Sequence, residues 1–173
     1  MKMLQKISLV LIIFVSICSH GQSKDKINFM LGEWNLKAKI TTQKGVIYGN
    51  GTKKVYYKES KDTLYAEMNV KFQNFNVVGT TKRVYNERSA RWNIIWVTLE
   101  NSKNPPKGEG NFRNGNFVEI FYDNDQLGSF LKRLVFLDIS KDHFSVRMDR
   151  LYDNGVFMKD TWGYEAKRIK NDK

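Results

Sequence analysis

The stretch Leu31-Gly32-Glu33-Trp34-Asn35-Leu36-Lys37-Ala38-Lys39-Ile40 alternates apolar and polar residues from Glu33 to its end. In an extended chain Trp34, Leu36, Ala38 and Ile40 share one face, and Glu33, Asn35, Lys37 and Lys39 share the other. A period of two is the pattern of a strand with one side in a core and the other in water. Working outward, the same pattern recurs. Val46 to Tyr57 reads as a second strand, with Gly49-Asn50-Gly51 predicting a bulge or sharp bend inside it. Leu64, Ala66, Met68, Val70 and Phe72 alternate in a third, and Val77 to Tyr85 makes a fourth. Arg91 to Glu100 is a fifth strand with apolar residues on both faces, as expected of a strand covered twice or lining an apolar cavity.

Beyond Pro105-Pro106, Asn114-Gly115 separates the β runs Gly108 to Arg113 and Asn116 to Tyr122. That pair is the strongest short hairpin signal, because a type I′ turn needs positive φ at both central residues. Phe130 to Ile139, His143 to Tyr152 and Val156 to Lys167 complete the series. About ten strands joined mostly by hairpins predict an all-β, single antiparallel up-and-down barrel. Ahead of the first strand, Lys26 to Leu31 reads equally as a short helix that plugs the barrel or as a simple turn of linker.

The chain opens with Lys2 and Lys6, then the apolar run Ile7 to Ile17, then Ser19-His20-Gly21. A charged start, a run too short to span a bilayer as a helix and small residues at a cut before Gln22 describe a secretory signal peptide. Residues 1–21 would then leave, and 22–173 form one domain. The expected location is secreted or periplasmic, with lipidation at Cys18 as the minor alternative. Cys18 is the single cysteine, so the remaining chain offers no disulfide, thiol nucleophile or thiolate metal site.

The formal net charge is +11. Such a balance favours anionic partners, but the lysines and arginines are spread along the strands, as on a solvated outer wall. Export argues against nucleic acid as the partner, and nothing reads as a transmembrane helix.

Leu31-Gly32-Glu33-Trp34 resembles the opening of calycin-type (lipocalin-like) barrels, whose first strand begins with a Gly-x-Trp element. Three further places extend the likeness: Gly79 to Trp92, the Gly110…Asn114-Gly115 hairpin, and the ending Asp153-Asn154-Gly155…Trp162…Tyr164…Lys167-Arg168. Over roughly residues 28 to 169 the chain resembles a group of bacterial secreted proteins of unassigned function with such barrels. The resemblance implies an interior cavity and transfers no catalytic residue. It also implies that Arg168, or less readily Lys167, stacks over the first-strand Trp34 and closes the barrel, a cation held on an indole face.

Candidate chemistry is sparse. His143 is the one histidine past the proposed cut, at a turn, where it makes a poor axial haem ligand. Zinc lacks a donor set. Asp123-Asn124-Asp125-Gln126-Leu127-Gly128 begins like a calcium loop but has leucine at its fifth and twelfth positions, so a hairpin turn is the better reading. Glu67, Glu119, Asp149 and Asp160 contain no spacing that selects a glycosidase pair. No metal, cofactor or catalytic residue is assigned, and an enzyme ranks third. The leading expectation is a barrel that binds a small apolar or amphipathic ligand. Arg83, Tyr85, Arg133 and Arg147, with Asp149, lie mid-strand where they can face inward, and Trp92, Trp96, Met68 and Phe136 can supply apolar walls. The rival is an envelope-interaction protein with a filled barrel that docks on anionic surfaces through its basic exterior.

Overall fold

The computed structural model describes residues 24–58 and 60–170. The signal-peptide reading and Cys18 lie outside them. Ten strands follow a short helical turn that ends as a 3₁₀ helix, Ile27–Met30. They are β1 (Gly32–Thr42), β2 (Gly45–Tyr57), β3 (Thr63–Lys71), β4 (Asn76–Asn86), β5 (Arg91–Val97), β6 (Lys107–Arg113), β7 (Asn116–Asp125), β8 (Gly128–Leu137), β9 (His143–Tyr152) and β10 (Phe157–Arg168). Each strand pairs with its sequence neighbours, and β10 pairs antiparallel with β1 to close the barrel. Closure leaves no sheet edge for another chain to extend.

The alternation in β1 sets the pattern of the wall. Trp34, Leu36 and Ala38 are buried, while Glu33, Asn35 and Lys37 face out. In β3 the buried set is Leu64, Ala66, Met68 and Val70. Apolar inside and polar outside is the reverse of a barrel whose outer face meets lipid. No helix among the described residues is long and apolar enough to cross a membrane.

Because the connections alternate, the barrel has two different ends. The 3₁₀ helix precedes β1 and covers one of them. Ile27 and Met30 are fully buried there, and the Phe29 ring packs edge-on against Phe112, Phe136 and Phe144. Trp34 is also fully buried. Its Nε1 donates to the Met30 carbonyl at 2.7 Å, and its ring meets Phe144 at 4.8 Å. The Arg168 guanidinium lies 4.2 Å from the Trp34 ring centroid and donates through Nη1 to the Leu31 carbonyl at 2.6 Å and through Nε to the Lys141 carbonyl at 2.8 Å. Gly32 makes this possible: its φ is +112°, and a Cβ there would stand 2.5 Å from Arg168 Nη1. The Gly-x-Trp spacing thus supplies both the indole and the space above it.

Two expectations about the strands change. β2 runs unbroken past Gly49-Asn50-Gly51, in continuous register with β1. These glycines permit close approach rather than a bend: a Cβ on Gly51 would meet the Asn69 carbonyl oxygen at 2.0 Å, and one on Gly49 the Phe72 ring at 2.7 Å. The irregular strand is β10, where the register with β9 shifts between Met158 and Trp162. β5 ends at Val97, and Leu99 lies beyond it, 93% exposed. The Asn114-Gly115 turn has φ of +50° and +81°, as a type I′ turn requires.

Candidate functional site

The five hairpins opposite the 3₁₀ helix surround the other end. Each carries an exposed large apolar residue: Val46, Phe75, Leu99, Leu127 and Phe157. Inside that end lies a cavity of about 160 Å³. Val77, Trp96, Pro106, Leu134 and Trp162 form its partly exposed rim, and Met68, Phe121, Phe136 and Met148 its walls. The deepest lining is polar. Lys53 of β2, Arg83 of β4, Glu119 of β7 and Tyr164 of β10 are 4%, 2%, 2% and 5% exposed.

These four side chains come from strands far apart in sequence, and barrel closure brings them together. Arg83 Nε donates to Glu119 Oε1 at 2.6 Å. Lys53 Nζ donates to the Tyr164 hydroxyl at 2.7 Å and lies 5.2–5.8 Å from the ring centroids of Tyr164, Phe136 and Phe144. Ionised groups taken out of water need both a counter-charge and filled hydrogen bonds. Glu119 balances Arg83 but leaves nothing for a charged Lys53. Burial therefore pulls the Lys53 pKa down to about 7, helped by the Arg83 charge and opposed by Glu119. Burial also pushes the Tyr164 hydroxyl well above its ordinary value, so it stays protonated.

One donor in this group has no acceptor. Arg83 Nη1 is buried and has no hydrogen-bond partner among the described residues. A buried guanidinium nitrogen with no acceptor costs free energy, and here it belongs to a residue that lines the cavity. At the rim, Lys132 is held by Asp123 at 2.7 Å.

The sequence candidates divide three ways. Arg83 and Trp96 meet at the cavity, with Met68 and Phe136. Tyr85 and Trp92 face inward but pack on each other as tilted rings, centroids 5.1 Å apart, outside the cavity lining. Arg133 and Arg147 are not in the interior. They alternate with cavity and core residues and so point outward, where Arg133 Nη2 donates to Asp149 Oδ2 at 2.7 Å and Arg147 Nε lies 3.5 Å from Asp149 Oδ1. Asp149 also accepts from the Asp160 backbone N–H at 2.9 Å. This cluster ties the irregular part of β10 to the outer wall. Of the four carboxylates weighed as a pair, only Glu119 is inside: Glu67 accepts from the Tyr56 hydroxyl, and Asp160 pairs with Lys39.

No protein-family model and no curated protein matches the chain. Solved structures match its shape. An S-type phycobiliprotein lyase from Guillardia theta superposes with a TM-score of 0.59 over 84% of this chain and 91% of its own, at 11% identity. A de novo designed fluorescence-activating β-barrel matches at a TM-score of 0.39, with 11% identity, over 84% of this chain and 98% of its own. At 11% identity the likeness to the lyase speaks for the fold alone: a calycin-like ten-stranded antiparallel barrel.

Lys53 and Tyr164 escaped the sequence reading. In β2 the inward set is Gly49, Gly51, Lys53, Val55 and Tyr57. Two glycines erase the apolar signal of that face, so the lysine does not stand out. The usable signal for Glu119 was its position between Phe117 and Phe121, an acid on an aromatic stripe.

Proposed function

We propose that this protein is an exported barrel that binds a small apolar or amphipathic molecule carrying a carboxylate or carbonyl oxygen. The observation that carries the reading is a cavity with apolar walls whose deepest lining includes Arg83, a buried residue with an unpartnered Nη1. A pocket with apolar walls and a few fixed polar groups is the usual form of a small-molecule site. A dry cavity of about 150 Å³ holds one benzene ring, so the part buried here is of about that size. A longer tail would pass between Trp96 and Trp162 toward the apolar hairpin tips. The name of the similarly folded lyase, a protein that acts on phycobiliproteins, accords with a barrel that handles an organic group and does not specify this one. The docking alternative gains no specific support from the outer wall, where some cations are paired with acids, as in Lys54–Glu33 and Arg91–Glu109.

Octanoate is a suitable probe for titration calorimetry. One equivalent should bind, and Trp96→Ala should weaken it by about tenfold or more, the scale of losing an aromatic anchor. Lys103→Ala, in the β5–β6 loop, should leave affinity unchanged. The pH dependence has a defined sign. A bound carboxylate favours charged Lys53, so binding takes up a proton where the free protein has lost it. Affinity should therefore be highest below pH about 7 and fall as pH rises above it. Equal, salt-sensitive weakening by scattered surface lysine changes would favour electrostatic docking instead. Export is checked separately by the intact mass of the secreted protein. A start at Gln22 is expected, and diacylglycerol on Cys18 would contradict it.

A further inference from the structure

We propose that Lys53 captures small apolar aldehydes at the cavity floor as imines. This rests on the reading that the cavity holds a small ligand by its oxygen end. It adds a covalent step and a chemical class. The geometry is that of a nucleophile placed beside a pocket. Lys53 lines the cavity, is 4% exposed and has the Tyr164 hydroxyl as its hydrogen-bond partner. An ammonium group presents three donors, and the aromatic rings around Lys53 accept none of them as an oxygen would. The site therefore suits the neutral amine, whose lone pair attacks carbonyl carbon. The depressed pKa of about 7 agrees.

The groups around Lys53 match the steps. Arg83 Nη1 donates to the carbonyl oxygen of the entering aldehyde. The amine nitrogen forms a bond to the carbonyl carbon, and the oxygen takes up a proton to give a carbinolamine. The nitrogen lone pair then forms the C=N bond as the C–O bond breaks. The oxygen leaves as water with the two protons that nitrogen has lost, and Tyr164, kept protonated by burial, can relay one of them. Amine plus aldehyde gives imine plus water, with no oxidant or reductant. Protonation of the imine would add a positive charge that Glu119 favours and that burial and Arg83 oppose, so the site favours the neutral imine. A ring-sized aldehyde fits the volume: its apolar body lies on Phe121, Met148 and Trp96.

The test uses the full mature chain with benzaldehyde and sodium cyanoborohydride at pH 7, followed by peptide mass mapping. A single benzyl group should appear on Lys53, at least about tenfold faster than on any exposed lysine, since exposed lysines near pKa 10.4 are almost wholly protonated. The rate should rise from pH 6 to 8, opposite to the trend for octanoate affinity. Octanoate should protect Lys53, and Lys53→Met should abolish the single adduct. Protection by octanoate in the unaltered chain tests the site even if that variant does not fold. Benzyl groups spread over exposed lysines with Lys53 unmodified would overturn the proposal. If octanoate still binds, the pocket reading survives that loss; if octanoate also fails to bind, both fall.

Discussion

Trp34→Ala should lower the unfolding free energy by about 3–5 kcal/mol, the usual cost of truncating a buried tryptophan. The size follows from what the indole holds. It is fully buried, meets Phe144, donates to the Met30 carbonyl and carries the Arg168 guanidinium on its face. Removing it opens a void beneath the 3₁₀ helix and leaves Arg168 without its platform. Cation–π contacts contribute about 0.5–2 kcal/mol, so most of the loss belongs to packing. Gly32→Ala should also destabilise, because the added carbon would displace Arg168. Denaturant unfolding measures both. A loss below about 1 kcal/mol for Trp34→Ala, the range of surface changes, would mean that the closed end is not built as described.

Glu119→Gln is expected to destabilise by a similar amount, about 3–5 kcal/mol, the cost of breaking a buried ion pair from one side. Glutamine keeps the shape and removes only the charge, so the effect isolates the electrostatics. Arg83 would then sit 2% exposed with no counter-ion, beside Lys53. The paired change Arg83→Met with Glu119→Met should recover most of the loss, since apolar replacements of a buried pair are often neutral or stabilising. The exposed pair Arg91–Glu109 is the control: its side chains are 50% and 58% exposed, and Glu109→Gln should change stability by about 0–1 kcal/mol. An equal effect at Glu109 and Glu119 would show that the interior pair is solvated.

Much of the barrel could be read from β1 alone, because its alternation and its Gly-x-Trp start each have one physical reading. The turn at Asn114-Gly115 was equally legible, as φ values few other residues accept are written in the residue types. The site was harder because register decides which face is inside. β8 carries a cation on each face, Lys132 inside and Arg133 outside, with apolar residues on both. Nothing local distinguishes them. β9 was more readable than the expectation allowed: Phe144, Val146 and Met148 alternate with His143, Ser145, Arg147 and Asp149, which already places Arg147 outside. Arg83 was no plainer from the sequence than the β8 cations, since Val77, Gly79, Thr81 and Tyr85 share its face while Val78, Thr80, Lys82 and Val84 make an equally mixed opposite face. The quartet on the cavity floor was not legible either, since its members are brought together only by closure of β10 on β1.

The central claim is that the cavity takes a small molecule by its oxygen end. A crystal structure of the protein with 4-bromobenzoate tests it most directly, because bromine marks its own position by anomalous scattering. Bromine should lie between Trp96 and Trp162, with a carboxylate oxygen within hydrogen-bond distance of Arg83 Nη1. A cavity filled by its own side chains, or bromine bound only on the outer wall, would contradict it.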